Sequence, residues 1–428
     1  MELSQRFLTA SEAIDWIHGE RWKGEKNGLT NTRALLEALN HPEERIGRVI
    51  HVAGTNGKGS TCAMIERALR ECGYTTGLFT SPYLCRFHER IRLCGVPISD
   101  DDLIETASFV REAAQSLAEK GIYCTTFEIL TAMACVYFAE KKTQYAVMEV
   151  GMGGRLDSTN VLTPFVSVIA AIGMDHMARL GNTLEAIAGE KAGIIKPRVP
   201  AVVLTQRENV MGVFRQTARE QRAPLFETPV PAIIQKDAHG AYFALDLPSA
   251  GLVRARISLP GAHQIQNTSL ALMVLDRLNL PMDRAIEGLS KTQWPGRLEW
   301  IGNVLIDGAH NPQGALALAN YAREYLSEKR VVLLTGMMQD KQYAECARIF
   351  SQFAAEIVTT QVAWPRALPA QTLAEVYGKR AKAVESLPDA LRVSQRLAGE
   401  DGIVICAGSI YTAGDVRNLL LPDDRGAI

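Results

Sequence analysis

The sequence predicts an α/β protein in two units, each a mostly parallel sheet covered by helices. Three observations carry that expectation. Near-continuous apolar runs of strand length alternate with amphipathic helical segments, the pattern of parallel strands buried on both faces. A glycine-rich turn, Gly54-Thr55-Asn56-Gly57-Lys58-Gly59-Ser60-Thr61, joins one such run to a helix. A Pro-Gly pair at 295–296 then separates two stretches of strand–helix alternation.

In chain order, Val49–Ala53 is the strand that feeds the turn, and Ile65, Ala68, Leu69 and Cys72 recur on one face of the helix that leaves it. Thr126–Lys141 reads as helix. Tyr145–Val150, Val166–Ile172 and Ala201–Leu204 read as buried strands. Phe226–Leu259 alternates apolar and polar residues between turn signals, which predicts a small antiparallel excursion. Gly261–Arg297 is mainly helical and ends in the linker Trp294-Pro295-Gly296-Arg297. Strands at Val304–Ile306, Val331–Leu334, Ile357-Val358 and Ile403–Ala407 restart the alternation. The expected division is 1–296 and 297–428, with a substrate cleft between the two units.

At 428 residues the chain exceeds one ordinary core. Its hydrophobic fraction of 47% and charged fraction of 22% are those of a soluble globular protein. A net charge of −1 provides no global field for nucleic acid or an acidic membrane. No apolar run is long enough to span a bilayer, and the first residues lack the apolar core of a signal peptide. The eight cysteines are scattered without zinc-ligand spacing; Cys62, Cys135 and Cys406 read as buried thiols of a reducing cytoplasm.

The turn points to phosphate. Glycines let backbone N–H groups close around an anion, and the helix N-terminus adds positive partial charge. Lys58 would neutralise phosphate charge, and Ser60 or Thr61 would offer a hydroxyl to Mg²⁺. Glu149 ends an apolar strand, where a carboxylate needs a partner; a metal ion and a salt bridge to Arg155 are the two readings. Asp175-His176 follows another strand. Asn182 and Glu185 resemble a capping box, and the helix after them sets Lys191 on the same face as Leu184, Ile187 and Ala188. Burial lowers a lysine pKa, and a neutral amine combines with CO₂ to give a carbamate able to bridge two cations. The alternative is that Lys191 snorkels or pairs with Glu190. Asp307-Gly308-Ala309-His310-Asn311-Pro312 offers a carboxylate, an imidazole and an amide in one loop, or a plain Asx turn.

Together HVAGTNGKGST, SPYLCRFHERIRLCGVPIS, TTFE, MEVGMGGRLDSTN, GMDHMARLGNTLEAIAGEKAGIIKP, PGRLEW, IDGAHNP and GSIYTAGDV resemble the folylpolyglutamate synthases, including their bifunctional dihydrofolate synthase forms. These are a branch of the Mur ligase superfamily. The resemblance implies an N-terminal P-loop ATPase unit and a smaller Rossmann-like C-terminal unit. It implies an ATP-dependent acid–amino-acid ligase that adds L-glutamate to tetrahydrofolate polyglutamates, and to dihydropteroate, through an acyl phosphate. On the family pattern Gly57, Lys58, Gly59 and Ser60 bind ATP phosphates. Ser81 and Glu149 hold a first Mg²⁺, and His176 a second. Lys191 is the carbamylated lysine, formed from CO₂. Asn267, Arg297 and Asp307 contact ATP, and His310 lines the reacting centre. Pro82, in the Ser81–Leu84 loop, and Thr126, Phe127 and Glu128 face the pterin. A cytoplasmic monomer is expected, with no nucleic-acid or membrane partner.

The chain departs from the family at Met177, where Thr is common, and at Ala178-Arg179. Lys26-Asn27-Gly28-Leu29-Thr30 keeps a Gly-Leu without the usual acidic-arginine context.

Overall fold

The computed structural model describes residues 6–19 and 28–422, so Lys26 and Asn27 of the departing segment lie outside the described residues. The first sheet has eight strands: β1 Arg48–Ala53, β2 Thr76–Phe79, β3 Ile91–Leu93, β4 Val96–Pro97, β5 Tyr145–Glu149, β6 Val166–Ile169, β7 Ala201–Val203 and β8 Leu225–Glu227. Their order is β4-β3-β2-β5-β1-β6-β7-β8. The strands from β2 to β8 pair parallel, while β3 and β4 add an antiparallel edge. The chain leaves β1 for β2 on one side, and β5 and β6 later fill the places beside β1. The carboxyl end of β1 is therefore a topological switch point, where open sheets bind ligands.

The period-2 alternation of a strand divides the core. Ile50 and Val52 of β1 join Leu78, Val147 and Val168 against the helices Lys58–Glu71 and Ala262–Arg277. Val49, Phe79, Ala146 and Met148 point the other way, toward the helices Asp100–Glu119 and Thr126–Glu140. Ala53, Ile169 and Val203 pack the helices Leu184–Ala192 and Glu208–Glu220.

The expected antiparallel excursion is β9 Ala232–Asp237, β10 Gly240–Leu247 and β11 Gly251–Ile257. Two details differ from expectation. Phe226 belongs to β8 of the main sheet, where it pairs parallel with Val202. The small sheet also shares the main core, since Phe243, Leu245 and Ala255 bury against it. Its tip reaches the second unit, where the Tyr321 hydroxyl donates to the Ala238 carbonyl at 2.8 Å.

The second sheet contains β12 Glu299–Ile301, β13 Val304–Ile306, β14 Val331–Thr335, β15 Glu356–Thr359, β16 Ala381–Ala383 and β17 Ile403–Ala407, in the order β12-β13-β17-β14-β15-β16. β12 is an antiparallel edge and the rest are parallel. The α/β class and both mostly parallel sheets agree with the sequence reading. β12 and β16 are short, half-buried edge strands without the apolar run that marks the others. No helix among the described residues is long and apolar enough to cross a membrane, and all eight cysteines are free.

Candidate active site in the cleft between the sheets

The two sheets face each other across a cleft of about 1390 Å³, whose walls include Lys58, Glu149, His176, Lys191, Arg297, Asp307 and His310. The phosphate turn forms its floor. The Thr55 and Asn56 N–H groups donate to the Ala171 carbonyl at 2.7 and 3.2 Å, which ties the turn to the end of β6. Gly57 has φ +85, and a Cβ there would lie 2.3 Å from Asn267 Oδ1. Glycine is therefore required both by the backbone and by the close approach of Asn267. The helix starts at Lys58, so Ser60 falls in its first turn; the Ser60 hydroxyl accepts from Gln264 at 3.3 Å. Ser60 lines the cleft, whereas Thr61 is fully buried with an unpartnered hydroxyl.

Glu149 does not pair with Arg155; Arg155 lies 3.4 Å from Glu190 instead. The Glu149 carboxylate accepts the Ser81 N–H at 3.0 Å and lies 3.9 Å from Lys58 Nζ. Burial raises its pKa, and Lys58 and the Ser81 N–H only partly oppose that. A carboxylate 4% exposed with so little neutralisation, beside a serine on the cleft wall, suits a hard cation that takes oxygen ligands.

Lys191 is 4% exposed, and its Nζ donates to the Gly54 carbonyl at 2.9 Å. It neither snorkels nor pairs with Glu190. Burial, with the Lys58 charge second, lowers its pKa to about 7. Its helix is capped by Thr183, whose hydroxyl accepts the Ala186 N–H at 3.1 Å, and not by Asn182. Gly154 lets that helix in, since a Cβ there would lie 2.7 Å from the Glu190 carbonyl. The glycines of 151–154 thus serve helix packing as well as the cleft wall.

Asp175 and His176 follow β6. Partial burial, and nearby Lys341 and Lys58 against the pull of Asp175, lower the His176 pKa to about 4. Burial alone would raise the Asp175 carboxyl, but His310 and Lys341 outweigh it and hold it well below the usual carboxylate range. Across the cleft, the Asp307 carboxylate accepts the Leu298 N–H at 3.0 Å and the Ala309 N–H at 2.9 Å. The Asx turn is therefore real, and Asp307 also lines the cleft. Asn311 caps the helix Pro312–Tyr325 by accepting the Gly314 N–H at 2.9 Å.

The structure brings together Gly57, Lys58, Gly59, Ser60, Ser81, Pro82, Glu149, His176, Lys191, Asn267, Arg297, Asp307 and His310 on one cavity wall. It does not bring Thr126, Phe127 and Glu128 there. Thr126 donates to the Ile17 carbonyl at 3.1 Å. Glu128 is buried in a capping box with Thr125 and accepts from Thr32. Phe127 packs on Gly151, which does line the cleft. Sequence reasoning missed Lys341, His263 and Gln313. Lys341 lies in the loop after β14, and no local pattern marks it, because its partner Asp175 is 166 positions away. Among the described residues, the one dense group of metal-ligating side chains is His41, Glu43 and Glu44, away from the cleft. A Mg²⁺ that keeps waters and phosphate oxygens needs no such group.

Residues 52–275 match the Mur ligase middle domain, and residues 296–410 the Mur ligase glutamate ligase domain. The chain is 38% identical to the Bacillus subtilis dihydrofolate synthase/folylpolyglutamate synthase, over 97% of this chain and 100% of that one. A structure of Mycobacterium tuberculosis folylpolyglutamate synthase complexed with ADP superposes with a TM-score of 0.89 at 31% identity, covering 96% of this chain and 98% of that one. E. coli FolC in complex with DHPP and ADP superposes with a TM-score of 0.87 at 27% identity, covering 96% and 97%. The glycine turn, the two facing sheets and these likenesses agree, and the chain belongs to the Mur ligase family, in its folylpolyglutamate synthase/dihydrofolate synthase branch.

Proposed function

We propose that the chain is an ATP-dependent ligase that adds L-glutamate to folates through an acyl phosphate. The observation that carries this reading is the convergence of Lys58, Glu149, His176 and Lys191 from the first unit with Arg297, Asp307 and His310 from the second on one cleft. The likeness to relatives named for folylpolyglutamate synthesis, and to ADP-bound structures, supports folate and ATP as substrates.

The obstacle to the reaction is charge, because an anionic carboxylate must meet an anionic phosphate. The phosphate turn binds the triphosphate through its N–H groups, and Lys58 neutralises charge that develops as the γ-phosphoryl group moves to the folate carboxyl. Mg²⁺, when bound, would supply further neutralisation of the phosphate oxygens. Ser81 and Glu149 would hold one ion, and His176 with a carbamate of Lys191 a second. The buried amine of Lys191, whose pKa is lowered to about 7, fits that modification. The glutamate amine then attacks the acyl phosphate and phosphate leaves, with His310 at the reacting centre. Closure of the 297–428 unit on the 1–296 unit would exclude water from the acyl phosphate. Pro82 lies on the cleft wall, and Phe127 stands behind Gly151, the side from which we expect the pterin to enter. We place the enzyme in the cytoplasm as a monomer.

A second reading, favoured by the bifunctional relative, is that dihydropteroate is also a substrate. Mass spectrometry of products formed with ATP, Mg²⁺ and glutamate tests both readings, with tetrahydrofolate and dihydropteroate in separate reactions. Glutamyl adducts of tetrahydrofolate are expected. No adduct of either acceptor would overturn the proposal, and an adduct of dihydropteroate alone would replace folate extension with dihydrofolate synthesis.

A further inference from the structure

Two polar contacts cross the cleft beside the reacting centre. In the first, Asp175 of the first unit gathers three groups from the second. Lys341 Nζ donates to its carboxylate at 2.8 Å, Asn311 Nδ2 donates at 3.4 Å, and His310 Nε2 lies 3.6 Å away. In the second, Asn56 of the phosphate turn donates to Gln313 at 2.7 Å and accepts from Asn311 at 3.0 Å.

The Lys341–Asp175 pair is shielded, with side chains 13% and 12% exposed. An exposed ion pair holds little, but a shielded one whose partner is removed leaves an uncompensated charge. Lys341 is not among the residues that line the cleft. It meets the site through Asp175, whose carboxylate also accepts the His176 N–H at 2.9 Å and lies 3.8 Å from the His176 ring. One carboxylate thus faces both histidines, one from each unit, and a lysine from outside the cleft holds it.

We infer that Lys341 is a positioning residue for the ligation: by holding Asp175 from the second unit, it sets His176 and His310 at a fixed separation and keeps the Asp175 carboxylate from closing onto His176. The inference rests on the ligase reading above. Without Lys341 the nearest cation-capable partner of Asp175 is an imidazole. The carboxylate would then compete for His176 or draw His310 out of line. The phosphate turn is anchored separately through the Ala171 carbonyl, so nucleotide binding is expected to survive the loss.

The test is steady-state ligation by the full-length enzyme and by Lys341→Met and Lys341→Arg, together with ADP affinity by calorimetry and thermal melting of each protein. A misplacement on the ångström scale predicts a drop in kcat of about 100-fold for Lys341→Met. The ADP Kd and the KM for ATP should change by less than about threefold, since uniform binding is untouched. Lys341→Arg should recover a tenth or more of the lost rate, roughly, because it restores a cation within reach of Asp175. Asp175→Asn combined with Lys341→Met should cost little more than the worse single change, the non-additivity of residues that act as a unit. A Lys341→Met enzyme within twofold of wild type would overturn the inference, and so would equal losses in kcat, ADP affinity and melting temperature. An inactive wild-type enzyme would instead remove the ligase reading.

Discussion

The two strand-end loops that meet in the cleft are built in opposite ways. After β1, Gly54–Ser60 is shaped by backbone: Gly54 and Gly57 take positive φ, two N–H groups bind Ala171, and one lysine stands over the turn. After β13, Asp307–Asn311 is shaped by side chains. Asp307 holds two N–H groups, Asn311 caps a helix, and His310 Nδ1 contacts the Gly308 carbonyl at 2.9 Å. The first loop therefore commits Thr55 and Asn56 to Ala171 and leaves the N–H groups of the helix start to an anion, with Lys58 as the cation that the proposed ligation uses. The second spends most of its polar groups on its own shape and presents His310. A change in the first loop should remove chemistry while leaving the fold intact, and a change in the second should affect stability as well.

The largest effect is expected from Lys58→Ala. Loss of the cation over the transferring phosphoryl group should cut glutamate ligation by about 10³-fold, with little change in melting temperature. Near-wild-type ligation in a coupled ADP assay would break the contrast at its strong end.

Lys191→Ala comes next. We expect a loss of about 100-fold, partly restored by acetate or another short carboxylate standing in for the carbamate. Full activity without rescue would remove the metal-bridging role. The same lysine gives a pH dependence. With a pKa near 7 its amine is protonated below that value and neutral above it, and only the neutral form takes up CO₂. Stimulation of CO₂-depleted enzyme by bicarbonate should rise from about pH 6 to about pH 8; stimulation that falls over that interval would contradict the assignment.

Asp307→Ala should behave differently, as a second-loop change. It strands the Leu298 and Ala309 N–H groups, so unfolding free energy should drop by about 2 kcal/mol in a denaturant titration, alongside any loss of rate. A variant that loses rate with unchanged stability would make Asp307 a pure ligand of the nucleotide. The smallest effect belongs to Thr183→Ala. Removing the cap of the Lys191 helix should cost about 1 kcal/mol, whereas Asn182→Ala should cost close to none.

The same contrast explains what the sequence disclosed. The cleft positions of Lys58, Glu149 and His176 were legible because each ends or follows an apolar run, and the burial of Lys191 because it shares a helix face with Ile187 and Ala188; the roles came from the resemblance. What stayed hidden depends on contacts distant in sequence. Lys341 acquires meaning only when Asp175 stands opposite it, 166 positions away. Gly154 is explained by the Lys191 helix, and Phe226 joins the main sheet because β7 offers it an edge. Glu128, which the resemblance sets toward the pterin, lies outside the cleft wall, where it completes the cap of its helix with Thr125 and accepts from Thr32, contacts that a motif match does not disclose.

The account rests on transfer of a phosphoryl group to a carboxyl oxygen held over Lys58. Ligation of a folate whose reacting carboxylate carries ¹⁸O at both oxygens tests it directly, with the released phosphate analysed by mass spectrometry. The account predicts one ¹⁸O in the phosphate for each glutamate joined. Unlabelled phosphate, with one label in the product amide and the other lost to water, would contradict it.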